Sequence, residues 1–187
     1  GRSMTLEIDW EHPINNARQV WGRGGYELFE EDGNYLYTIA QWFPRMAVYN
    51  DVRGWQNKPF IGRGEFALEL GDYDVEITVP ADHVVGATGT LQNERAVLTA
   101  QQRKRLKRAR RSTEPVFIVT KDEAIANAKA RTKETKTWRF TARNVRDFAF
   151  ATSRRFIWDA MGCQGTEAVL CMSFYPTEAE PLWARYS

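Results

Sequence analysis

The stretch Gly25-Tyr-Glu-Leu-Phe-Glu-Glu-Asp-Gly-Asn-Tyr-Leu-Tyr37 decides the fold. Large side chains flank the Asp32-Gly33 step on both sides, and an Asp-Gly pair accepts the positive φ angles of a tight reversal with little strain, so the spacing predicts a β-hairpin. The strand leaving the turn is expected to run through Tyr35, Tyr37, Ile39 and Gln41 until Pro44, which has no amide hydrogen to give to a ladder. Upstream, Ser3-Met-Thr-Leu-Glu-Ile-Asp-Trp10 places Met4, Leu6, Ile8 and Trp10 on one face at period two, the pattern of a half-buried strand. Pro13 and the Asn15-Asn16 pair interrupt it, and Gly22, Gly24 and Gly25 mark a loop or bulge before the hairpin.

Downstream, a turn-rich loop around residues 53–59 leads to Gly64-Glu-Phe-Ala-Leu-Glu-Leu-Gly71, which reads as a strand. Asp72-Tyr-Asp-Val-Glu-Ile-Thr-Val-Pro80 follows with Val75, Ile77 and Val79 on one side, and residues 84–91 predict a further short strand. The character then changes. Thr99-Ala-Gln-Gln102 is a capping box that opens a helix to about Arg111, and Thr120-Lys-Asp-Glu123 repeats the signature before the alanine-rich residues 124–131. Between the two helices Val116-Phe-Ile-Val119 reads as a short buried strand. Strand patterns return at Thr137-Trp-Arg-Phe-Thr-Ala142, at Asp147-Phe-Ala-Phe-Ala151 and at Glu167-Ala-Val-Leu-Cys-Met-Ser-Phe-Tyr175, the last stopped by Pro176. Pro181 suits the first turn of a terminal helix. The expected fold is mainly β, a single β-rich domain over residues 1–187 built as a sandwich or saddle-shaped sheets, with a short two-helix insertion around residues 95–131.

The 187 residues, 43% hydrophobic and 13% aromatic, suit one globular core. Lys and Arg (26) nearly balance Asp and Glu (24), so the chain has no global field that draws nucleic acid or an anionic membrane. No apolar run reaches the roughly 18 residues of a membrane span. Gly1-Arg-Ser-Met is not a signal peptide, and the sequence assigns no compartment. Cys163 and Cys171 flank the Gln164-Gly165-Thr166 turn region, a spacing that fits a local bridge and equally fits two ordinary buried thiols.

Arg103-Lys-Arg-Leu-Lys-Arg-Ala-Arg-Arg111 is the strongest charge signal. Leu98, Leu106 and Ala109 supply a thin docking stripe, no stacking aromatics are interleaved, and the run is read as a solvated helix face, not a nucleic-acid grip. On that reading, neutralising Lys104, Arg105 and Arg108 leaves folding nearly unchanged. Trp10, Trp138 and Trp158 read as core or rim, whereas Trp42 and Trp55 lie near loops and remain open to a sugar-stacking role. There is no G-x-S-x-G elbow, glycine-rich phosphate loop or Cys-x-x-Cys pair, and Glu30-Glu31-Asp32 and Asp72/Asp74 sit beside turns, where acidic residues serve solubility and local hydrogen bonding.

Two stretches, Tyr35-Leu-Tyr-Thr-Ile-Ala-Gln-Trp-Phe-Pro-Arg-Met-Ala-Val-Tyr-Asn-Asp51 and Trp138-Arg-Phe-Thr-Ala-Arg-Asn-Val-Arg-Asp-Phe-Ala-Phe-Ala-Thr152, resemble the non-catalytic N-terminal domain of zinc aminopeptidases of the aminopeptidase N family, the gluzincins. The similarity extends from residues 3–10 to Tyr175-Pro-Thr-Glu-Ala-Glu-Pro-Leu-Trp183. It implies a saddle of β-sheets that covers one side of a catalytic cleft, with Gln41 matching a glutamine that helps hold the substrate's N-terminal end. A side-chain amide offers a donor and an acceptor for that task. Many relatives carry an acidic residue just after this glutamine, whereas Trp42-Phe43 stand here, and the position equally suits a glutamine that closes a hydrogen bond at a strand end.

The family's chemistry uses H-E-x-x-H on a helix plus a more distant glutamate, and this sequence has only His12 and His83. The resemblance therefore implies that zinc belongs to a catalytic domain outside this segment. It also implies that the segment alone has no cofactor and no catalytic residue. The implied partners are the catalytic domain of its own chain and, in the intact enzyme, a peptide substrate. Against the family pattern Gly1 falls partway into the N-terminal domain and Ser187 where the first catalytic-domain helices start, as expected of a segment of a longer protein. A different class of function, a β-sandwich binding module for glycans or proteins, is compatible with the same strand pattern.

Overall fold

The hairpin forms where the sequence places it, with β1 at Gly25–Phe29 and β2 at Asn34–Ile39 in antiparallel register from Gly25↔Thr38 to Phe29↔Asn34. Its loop has four residues, 30–33. Within it only Gly33 takes a positive φ, +64°, while the Gly33 amide donates to the Phe29 carbonyl at 2.7 Å. The Asp32 carboxylate accepts from the Asn34 amide at 3.0 Å, so the turn's acidic residue does work local to the backbone. The structure is a computed structural model and describes residues 3–20, 22, 24–59, 67–163 and 168–184.

After the hairpin come β3 (Tyr49–Asn50), β4 (Gly54–Trp55), β5 (Gly71–Pro80), β6 (Val84–Ala87) and β7 (Thr90–Leu91). The helical segment holds α1 (Glu94–Val97), α2 (Ala100–Ala109), β8 (Val116–Val119) and α3 (Lys121–Ala130). The chain then returns to strands with β9 (Thr135–Val145), β10 (Phe150–Ser153), β11 (Phe156–Cys163) and β12 (Val169–Pro176), followed by a 3-10 turn at Thr177–Ala179 and α4 (Glu180–Trp183). The fold is mainly β. The sheets run β1-β2-β10-β6, β12-β11-β8, β5-β9-β7 and β3-β4, and every pairing between these strands is antiparallel.

Both capping boxes are present: the Thr99 hydroxyl accepts from the Gln102 amide, the Thr120 hydroxyl from that of Glu123, and each N3 side chain returns a bond to the cap amide. Leu98, Leu106 and Ala109 are buried and form the docking stripe of α2. The helical segment is more than an appendage, because β8 lies beside β11 with Trp158↔Val119 and Ala160↔Val116 in register. Its residues share one cluster with Ile77 of β5, Val85 of β6, Trp138 of β9 and Trp158 of β11. Burial of such side chains, about 25 cal/mol per Å² of apolar surface, makes this cluster the main source of cohesion.

Several expectations are corrected. Residues 3–10 form no strand and pair with none among the described residues, and Met4, Leu6, Ile8 and Trp10 are 78%, 57%, 52% and 48% exposed. Alternation shows which face a strand would bury, but a strand exists only where a partner accepts its backbone groups. Of the segment read at 64–71, residues 67–70 carry no strand and residues 60–66 lie outside the described residues. Residues 84–91 form two strands in different sheets, with β6 beside β10 and β7 beside β9. The turn at 164–166 also lies outside the described residues. β11, one of the most buried strands, has no counterpart in the sequence reading.

Candidate functional site

β2 ends at Ile39, two residues before Gln41, so Gln41 is not on the strand as expected. It instead adopts a left-handed backbone with φ +52°. A non-glycine residue held there stores about 1 kcal/mol or more of strain, which the flanking contacts must support. Those contacts are specific. The Trp42 indole N–H donates to the Phe148 carbonyl at 3.0 Å, and its ring meets Phe150 edge-on at 5.6 Å and Phe43 at 5.2 Å. Trp10 tilts against Trp42 at 6.0 Å and donates its indole N–H to the Trp42 carbonyl at 3.1 Å. Two residues after Phe43, Arg45 pairs with Asp147 at 3.0 Å and lies over the Phe43 ring.

Between these anchors the Gln41 side chain is exposed and makes no hydrogen bond among the described residues. It therefore does not close a bond at the strand end. It borders a cavity of about 200 Å³ that is also lined by His12, Ile14 and Trp42. The sequence offers His12 no role in a metal site, and in the fold it lines the same cavity as Gln41. No local pattern announced that shared lining, because it brings an irregular segment to the stretch that follows β2. The cavity presents an amide, an imidazole and apolar walls, a mixture that can bind a small polar group attached to an apolar body.

Several other polar groups are tied into the fold by hydrogen bonds and ion pairs. His83 is buried, and its Nδ1 lies 3.0 Å from the Thr152 hydroxyl oxygen. That hydroxyl donates its single hydrogen to the Val84 carbonyl, so it accepts from Nδ1–H and fixes the Nδ1–H tautomer of the neutral ring. Burial, followed by the nearby Arg154 charge, depresses the His83 pKa to about 4. Asp82 accepts from Arg154 Nε at 2.8 Å and from the Thr132 amide at 2.8 Å. Arg155, nearly buried, joins Glu31 and Asp32 of the hairpin loop to Glu178 of the 3-10 turn and lies 4.1 Å from the Phe29 ring centroid. The Tyr175 hydroxyl donates to Asp159 at 2.7 Å, and burial with this bond pushes the phenol well above its ordinary value. Among the described residues no group of three or more His, Cys, Asp or Glu is arranged to hold a metal ion.

The basic run divides into two sets. Arg103 donates to the Leu98 carbonyl, Arg105 to the Ile118 carbonyl and to Glu123 at 2.6 Å, and Arg110 to Glu94 at 2.9 Å. Lys104, Lys107, Arg108 and Arg111 are exposed. The expectation that Arg105 belongs to the solvated face is thereby corrected. Of the tryptophans, Trp138 and Trp158 are core as expected, while Trp10 is half-exposed against Trp42. Trp55 is exposed and meets Tyr49 across β3 and β4, their rings 5.2 Å apart and inclined at 69°. No helix among the described residues is long and apolar enough to cross a membrane.

Comparisons with protein-family models, with curated proteins and with solved structures found no match to this chain.

Proposed function

We propose that this chain is the accessory N-terminal region of an aminopeptidase-N-like zinc metallopeptidase and that Gln41 contacts the amino-terminal end of the peptide. The residues at 35–51 and 138–152 that resemble that family suggest the class of protein. The observation that carries the site is Gln41 itself: an exposed amide with no hydrogen bond among the described residues, on left-handed backbone, held between anchored neighbours at the edge of a cavity. An amide so placed offers a donor and an acceptor without having to break bonds it already makes. Zinc, held by the catalytic domain, would supply a polarised water for peptide hydrolysis. This chain's part is to bind and orient, and its physical partner is that catalytic domain.

On this reading the full-length protein should contain H-E-x-x-H and a more distant glutamate; their absence from it removes the enzyme reading. In the intact enzyme, Gln41→Ala should lower kcat/KM by the worth of one or two hydrogen bonds, about 1–3 kcal/mol, with zinc content unchanged. The loss should be larger for a peptide with a free amino terminus than for an acetylated one. Equal kinetics in mutant and wild type would show Gln41 to be only structural.

One observation favours the glycan-binding alternative, the exposed Tyr49–Trp55 pair. The 69° inclination lets only one of the two rings lie flat on a given sugar face, so stacking there engages a single ring. Quenching of tryptophan fluorescence by oligosaccharides, abolished in Trp55→Ala, would favour this second reading over the first.

A further inference from the structure

Cys163 closes β11 and Cys171 lies on β12, where Met161↔Cys171 and Cys163↔Val169 are the registered pairs. The two cysteines are thus diagonal neighbours on one face of the hairpin, a placement at which side chains still reach one another. Their sulfurs are 2.8 Å apart as free thiols, and both residues are partly exposed, so a small reagent can approach. The backbone beneath Cys163 is clamped. The Gly162 amide donates to the Ser112 carbonyl at 2.8 Å, and a Cβ at Gly162 would stand 2.7 Å from the Arg110 carbonyl oxygen, so β11 lies directly against the end of α2. Neither sulfur has to cross a strand or displace a core residue to meet the other.

We infer that Cys163 and Cys171 are a modification site, a dithiol that a low-molecular-weight disulfide converts reversibly into a cross-strand bridge. The neighbouring Cys163 sulfur pushes the Cys171 thiol above its ordinary value. The Cys163 thiolate attacks one sulfur of the reagent disulfide and expels the other as a thiolate. Cys171 then gives its proton to solvent, attacks the Cys163 sulfur of the mixed disulfide and expels the second reagent thiolate. The protein loses two hydrogens and is oxidised, while the reagent is reduced to two thiols.

The test is to equilibrate the folded chain with oxidised glutathione and read intact mass and alkylatable thiols without reduction. Wild type should lose two hydrogens, show no alkylatable thiol and revert with reduced glutathione. Cys163→Ser and Cys171→Ser should each stop at one mixed disulfide. Wild-type protein that carries glutathione on both cysteines, that forms linked dimers, or that keeps both thiols alkylatable would overturn the inference. Repeating the equilibration in denaturant separates fold from mere sequence proximity. The bridge should be favoured at least about tenfold more in the folded chain, and equal constants would also overturn it.

Discussion

Residues 3–10 and strand β11 pair pattern with outcome in opposite ways. The first has apolar residues at every second position, and they remain exposed without a partner strand among the described residues. The second, Phe-Ile-Trp-Asp-Ala-Met-Gly-Cys, shows no alternation and is buried on both faces. One face of β11 places Phe156, Trp158 and Ala160 in the main core. The other places Ile157 in a smaller cluster with Tyr175 and Ala124 of α3. Asp159 sits in the middle of the strand and breaks the apolar run, yet it is buried because Tyr175 supplies a hydrogen-bond donor. Alternation is thus the mark of a strand with one wet face. A strand packed on both faces loses it, and a segment without a partner can show it to no effect.

The largest effect should come from removing a β11 anchor. Trp158→Ala should cost about 3–5 kcal/mol in urea unfolding, whereas Ile8→Ala should stay within about 0.5 kcal/mol. Equal losses at the two sites would break the contrast and place residues 3–10 in the core. A smaller effect should follow from His83, whose charge is kept out by the packing around β6 and β10. Because its pKa is depressed to about 4 from 6.5, the unfolded chain takes up a proton that the native chain refuses as pH falls through this window. Stability should be nearly intact above pH 6.5 and fall by about 3 kcal/mol by the time pH 4 is reached. Thr152 faces the ring, with Asp82, Arg154 and Lys136 around it, and His83→Gln should flatten the slope. A slope unchanged in that variant would assign the pH dependence to the carboxylates.

The smallest differences lie within α2, where the contrast between tied and free recurs on one helix. Arg105→Gln gives up the Glu123 pair and the Ile118 carbonyl and should cost about 1 kcal/mol, while Lys104→Gln and Arg108→Gln should each remain within about 0.5 kcal/mol. Thermal unfolding of the three variants would rank them. A loss at Arg108 as large as that at Arg105 would mean that the outer cations also have partners.

Sequence alone determined the features whose causes are local. The β1–β2 hairpin follows from Asp32-Gly33, and α2 and α3 start where Thr99 and Thr120 cap them. β5 follows from the alternation of Val75, Ile77 and Val79, and β12 stops at Pro176. Each is set by the torsions and hydrogen bonds of a few adjacent residues, so the residues themselves carry the signal. Tertiary structure decided whatever needed a distant partner. It left residues 3–10 without a partner strand among the described residues and put β10 between β2 and β6. It turned Arg105 towards Glu123, and it set His12 beside a left-handed Gln41 next to a Trp42 pinned by the Phe148 carbonyl. Burial and hydrogen bonding between residues far apart in the chain depend on which surfaces meet, and no window of sequence contains both surfaces.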